Sequence, residues 1–150
     1  MGTGMARAEL VTSPLTGISL STVLADAQKL ADARPGAQVM RIEGTSMLPF
    51  FGEGSVVVVK KIDTAKLRPG MVVVYTNRFG ETVAHRLVAT TAGGWIAQGY
   101  NNSRPDSTVV SAANLLGVVY ATFHLNGVMG ALDLATVSKT VPMALAAPAR

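Results

Sequence analysis

The spacing of hydrophobic positions changes character once, near residue 36. Before that point Leu20, Val23, Leu24, Ala27 and Leu30 recur at three- and four-residue intervals behind Ser19, which predicts one short amphipathic helix over residues 19–33. Pro35-Gly36 stops it. From Gln38 onward the apolar runs are short and are divided by glycine-bearing turns, predicting strands at 39–42, 55–60, 71–76, 82–90, 94–98 and 116–123. The turns are Phe51-Gly52-Glu53-Gly54, Arg68-Pro69-Gly70, Arg78-Phe79-Gly80 and Ala92-Gly93-Gly94. Val56 to Val59, four valines in succession, reads as a strand buried on both faces. Residues 128–147 are rich in small apolar side chains but are interrupted by Asp133, Lys139 and Pro142; they read as a packing helix, favoured over 130–139, or a flexible tail.

Many short strands without long intervening helices predict a mainly β fold, a coiled antiparallel sheet or partly open barrel. One domain is expected: an N-terminal segment, 1–37, with the short helix; a β core, 38–124; and a C-terminal helix or tail, 125–150, belonging to the same domain. Composition agrees, because 150 residues with 49% hydrophobic and 15% charged content can bury a core.

Charge and rare residues narrow the chemistry. A net charge of +4 comes from scattered Lys and Arg, Lys60-Lys61 being the densest pair, and only 5% of residues are aromatic. No basic-aromatic stripe exists to bind nucleic acid, so no nucleic-acid partner is expected. The absence of cysteine and the presence of only two histidines, His85 and His124, leave no disulfide framework and no expected metal or cofactor. The first 35 residues never reach the roughly 18 apolar residues a bilayer span needs and lack the pattern of a secretory leader. A protein made and kept in the cytoplasm, or otherwise soluble, without a stable membrane span, is the expectation.

Within this frame Ser46 stands out. It lies in Glu43-Gly44-Thr45-Ser46-Met47-Leu48-Pro49, where Pro49 restricts its own φ and Leu48, and the serine is expected in extended geometry. A serine hydroxyl needs a neighbouring base to act as a nucleophile. His85 is the best candidate, since in Val83-Ala84-His85-Arg86-Leu87-Val88 it shares a strand face with Val83 and Leu87, where partial desolvation keeps imidazole neutral. Asp106 is the carboxylate available to orient it. Taken alone, His85 reads more readily as a hydrogen-bonded core histidine, and Asp106 fits a turn-capping residue after Pro105 at least as well. His124, after the last strand, reads as a surface residue.

In order along the chain, these blocks resemble the serine peptidases of the signal peptidase and LexA-like superfamily, over about residues 38–123. Gly44-Thr45-Ser46-Met47-Leu48-Pro49 is similar to the nucleophile box, and Phe51-Gly52-Glu53-Gly54-Ser55-Val56-Val57 to the turn and strand after it. Arg68-Pro69-Gly70-Met71-Val72-Val73-Val74-Tyr75 resembles a strand entry, and Val83-Ala84-His85-Arg86-Leu87-Val88 the strand of the general base. Gly99-Tyr100-Asn101-Asn102 with Asp106-Ser107 resembles the Gly-Asp-Asn loop, and Asn114-Leu115-Leu116-Gly117-Val118-Val119 its closing strand. Histidine followed by arginine matches the endoplasmic-reticulum and archaeal type of signal peptidase, where bacterial members carry lysine.

The resemblance implies a Ser46/His85 dyad assisted by Asp106, an acyl-enzyme, and an extended protein or peptide substrate cleaved after small residues. Gly44, Thr45, Met47, Pro49 and Asn101 would form the oxyanion and substrate-binding surroundings. Two departures follow from it: Tyr100 stands where the family has aspartate, leaving Asp106 to support His85 directly or through water, and Gly44 offers no hydroxyl, leaving the Ser46 N–H to stabilise an oxyanion. A further expectation concerns Ala144-Leu145-Ala146-Ala147, an Ala-x-Ala pattern that could enter a neighbouring molecule's cleft as substrate or product mimic and so support self-association. The leading function is a soluble serine endopeptidase. The alternatives are a catalytically weakened peptide-binding or assembly module, and a LexA-like self-cleaving regulator. Against the last, no helix-turn-helix precedes the β core and Ala92-Gly93 lies inside it.

Overall fold

The computed structural model describes residues 18–124 and 141–150. Helix α1 (Leu20–Asp32) begins at Ser19, whose side-chain oxygen accepts from the Thr22 backbone N–H, the usual way a serine satisfies an orphan donor at a helix start. It ends before Pro35 and Gly36, the latter at φ +73°, a conformation glycine adopts without Cβ strain. Val23, Ala27 and Ala31 form the buried stripe and pack on Val39, Val56 and Val58 of the sheet.

Seven strands follow: β1 (Ala37–Gly44), β2 (Val56–Lys60), β3 (Val72–Thr76), β4 (Thr82–Thr91), β5 (Gly94–Gln98), β6 (Leu115–Phe123) and β7 (Met143–Ala146). The first six lie within a residue or two of the expected spans. They form the expected mainly β fold: the sheet order β3-β6-β2-β1-β7-β4 closes on itself through a β3–β4 pairing, and β5 extends outward from β4. Pairings among β1 to β6 are antiparallel; β7 runs parallel to both of its neighbours. The valine run of β2 is buried on both faces. Val57 and Val59 point into the barrel with Met40, Ile42 and Val74, while Val56 and Val58 meet α1. Each such side chain, fully removed from water, contributes about 1.5–3 kcal/mol of hydrophobic stabilisation.

The strand that closes the barrel is one the hydrophobic pattern left within a helix or tail. Met143-Ala144-Leu145-Ala146 contains no β-branched or aromatic residue, so little local preference marks it as a strand. It is strand because two edges receive it. The β1 register pairs Arg41 with Met143, Ile42 with Ala144, Glu43 with Leu145 and Gly44 with Ala146, and on the other side Val83 of β4 pairs with Leu145. The domain core therefore extends beyond residue 124 to include 143–146. The helix expected at 130–139 lies outside the described residues. No helix among the described residues is long and apolar enough to cross a membrane.

Candidate active site

Ser46 follows the end of β1. The chain does not keep the extended geometry expected there: residues 46–50 form consecutive turns, with the Leu48 N–H bonded to Thr45 O and the Phe50 N–H to Met47 O. The Leu48–Pro49 peptide bond is cis. Two groups brace this turn from the 99–102 loop. The Asn101 backbone N–H donates to Ser46 O at 2.6 Å and its side-chain amide to Thr45 O at 3.2 Å. Gly99 lies so close that a Cβ there would stand 2.9 Å from Ser46 Cβ.

His85 comes from the middle of β4, and the sheet register explains its neighbours. Val73 pairs with His85 and Tyr75 with Val83, so Tyr75 and His85 are diagonal neighbours on one face, opposite Val74 and Ala84, which point into the barrel. The His85 Nε2 atom lies 2.8 Å from Ser46 Oγ, and its Nδ1 lies 2.5 Å from Asp106 Oδ2. All three side chains are buried or nearly so. Asp106 is held within reach by its own N–H, which bonds Ala97 O of β5. With the carboxylate accepting from Nδ1–H, the free lone pair of His85 is at Nε2 and faces the serine hydroxyl.

Tyr75 completes the arrangement and was not singled out by sequence reasoning. Its hydroxyl donates to the same Asp106 Oδ2 at 2.5 Å. Burial, followed by the hydrogen bond to Asp106 and that residue's charge, drives the phenol pKa upward, so Tyr75 remains a donor. Asp106 thus contacts His85 directly, without an intervening water. In the strand pattern Tyr75 looks like any other buried residue of an apolar run; only the position of residue 106 reveals what its hydroxyl does.

The slot between β1 and β4 opens beside Ser46 and His85, and residues 143–147 occupy it. Ala144 and Ala146 are fully buried against the barrel interior, beside Ile42, Met47 and Phe51. The Ser46 backbone N–H donates to Ala146 O at 3.1 Å. Ala147 O lies 3.1 Å from His85 Nε2 and accepts from the Asn102 side-chain amide at 3.1 Å. Gly44, at φ +108°, is what lets the strand approach, since a Cβ there would sit 2.0 Å from Ala146 O.

Of the remaining anticipated residues, Met47 is buried in the pocket that receives the two alanines and accepts the Tyr100 N–H through sulfur at 3.4 Å. Thr45 and Pro49 are exposed. Asn101 braces the serine turn, and it is Asn102, not anticipated, whose side chain reaches the slot's occupant. Tyr100 points outward, its ring edge-on to Phe50 with centroids 4.5 Å apart and beneath the Arg86 guanidinium. His124, expected at the surface, is partly buried, and desolvation pushes its pKa down.

No protein-family model matches the chain, and no curated protein or solved structure matches it.

Proposed function

We propose that the protein is a serine endopeptidase in which Ser46 is the nucleophile, His85 the general base and Asp106 the group that orients it. The observation that carries this reading is the continuous Asp106–His85–Ser46 hydrogen-bond chain at the mouth of a slot that takes an extended backbone. The motif resemblance to signal peptidase and LexA-like enzymes supports it independently. Ser46 Oγ attacks the substrate carbonyl carbon as its proton passes to His85 Nε2. The oxyanion develops against the Ser46 N–H, the donor that meets Ala146 O in this structure. Collapse breaks the C–N bond, and His85 returns the proton to the leaving amine. Water then hydrolyses the Ser46 ester by the same route, releasing a carboxylate and restoring the serine.

Substrates bind as a strand between β1 and β4, in the place residues 143–146 take in this structure, with main-chain pairing supplying affinity and side-chain pockets supplying selectivity. The two inward pockets hold only methyl groups, so alternate small residues are preferred, the second immediately before the scissile bond.

The test follows cleavage of an extended peptide library by mass spectrometry. Ser46→Ala is expected to abolish cleavage, and His85→Ala to lower kcat by at least about 10^2, the lower end of what a positioned general base contributes. Cleavage that survives Ser46→Ala would eliminate the nucleophile. Peptide binding without cleavage in any form of the protein would identify a binding module instead.

A further inference from the structure

We infer that residues 143–147 are an intramolecular substrate, and that Ser46 cleaves its own chain between Ala146 and Ala147. The inference rests on the serine-peptidase reading and adds which peptide the site meets first. In place of a neighbouring molecule's cleft, the segment fills its own.

The segment is held as a substrate is held, on both sides of one bond. Before that bond, parallel pairing with β1 sets the register, and Ala144 and Ala146 enter the two pockets that admit only small side chains. At the bond, Ala146 O accepts the N–H of the nucleophile residue itself, the position an oxyanion would take. After it, the Ala147 carbonyl lies between His85 Nε2 and the Asn102 amide, each at 3.1 Å, which sets the leaving residue beside the proton carrier. Further on, Arg150 forms an ion pair with Glu81 at 2.8 Å and its guanidinium covers the Phe79 ring at 4.1 Å. The Arg150 carbonyl also accepts from the backbone N–H and the hydroxyl of Ser107. A strand serving only to close the barrel needs neither the oxyanion contact nor the anchoring downstream of it.

The chemistry balances as ordinary hydrolysis. Ser46 Oγ bonds to the Ala146 carbonyl carbon and gives its proton to His85. The Ala146–Ala147 C–N bond breaks, and that proton passes to the Ala147 nitrogen. One water then cleaves the ester, leaving a carboxylate on Ala146 and a free amine on Ala147.

Intact-mass spectrometry of the purified full chain, followed over time at several protein concentrations, tests this. A species ending at Ala146 is expected, with a fragment beginning at Ala147, forming at a rate independent of protein concentration. Ser46→Ala and Ala147→Pro chains should stay whole, the latter because the scissile nitrogen becomes a ring-bound tertiary amide nitrogen without an N–H. In parallel, an internally quenched peptide containing Met-Ala-Leu-Ala-Ala-Pro is offered to the wild type and to Ala144→Arg, whose side chain cannot enter the interior pocket and so leaves the slot open. Ser46-dependent cleavage of that peptide while the wild-type chain stays whole would overturn the inference and spare the peptidase reading. A self-cleavage rate that rises with protein concentration would also overturn it, since the chains would then be cutting one another. No cleavage of either kind would sink both.

Discussion

Asp106 Oδ2 receives both the His85 imidazole and the Tyr75 hydroxyl, so one carboxylate oxygen fixes the direction of the imidazole and is itself fixed by a buried phenol. These two contacts have separable consequences. Asp106→Asn presents an amide that no longer demands a proton on Nδ1, and the imidazole loses its tautomer; under the proposed peptidase mechanism kcat is expected to fall on the order of 10^4-fold, as when an orienting carboxylate is neutralised in a serine triad. Tyr75→Phe keeps the ring's packing and removes one donor to a charged group, so unfolding free energy should drop by about 1.5–3 kcal/mol, with kcat falling less than in Asp106→Asn. Denaturant unfolding and peptide kinetics on the two variants check this ranking; equal kinetic losses would mean that Tyr75 does more than hold the carboxylate. At this scale, Ser46, His85 and Asp106 could be picked from sequence as candidates because each sits in a short block with its own local pattern. Tyr75 and Asn102 could not. Their roles depend on which loop lands above β3 and which strand enters the slot, and neither is encoded next to them.

Among the elements, α1 and the first six strands were legible because each carries its periodicity in its own residues: a three-to-four-residue stripe behind a serine cap, or apolar runs between glycine turns. The four valines of β2 announced burial on both faces, and the helix and the barrel interior supply the two faces. β7 was not legible. An Ala-rich tetrapeptide gains its strand conformation from the backbone hydrogen bonds of β1 and β4, not from its side chains. Gly44 controls that docking. Gly44→Ala would place a methyl group 2.0 Å from Ala146 O at a backbone φ of +108°. The expected result is displacement of β7, seen as fast amide hydrogen exchange at 143–146, together with a loss of about 1–3 kcal/mol in unfolding free energy from local strain. Unchanged exchange at those amides would mean that Gly44 does not control access to the slot.

Across the whole molecule, closure of the barrel depends on a segment tethered at a distance from the Ser46–His85 pair. Arg150 reaches Glu81 in the β3–β4 turn region, and Glu81 is held below its ordinary carboxylate range first by the Asn77 side-chain amide, against the opposing effect of burial and with further help from the Arg150 hydrogen bond and charge. Because the folded-state pKa is depressed, the stabilising contribution of this carboxylate is complete above its unfolded value and disappears as pH falls through the lowered folded value. Following Glu81 by NMR titration, Asn77→Ala and Arg150→Ala should each return its pKa toward the ordinary range. High salt should shrink the Arg150 effect, since that pair is exposed enough to be screened.

By itself the sequence determined what periodicity and short motifs encode: one capped helix, six strands, a mainly β core, and the blocks bearing a serine, a histidine and an aspartate suited to one another. Those properties depend on residues a few positions apart, so they are written where they are read. Only the tertiary structure decided that the three side chains meet in one hydrogen-bond chain, that Tyr75 braces it, that the barrel closes, and that the closing strand is the Ala-x-Ala segment seated with its carbonyl against Ser46. Each of these depends on strand register between segments far apart along the chain, set by backbone pairing and by how small a side chain must be to fit inside the barrel.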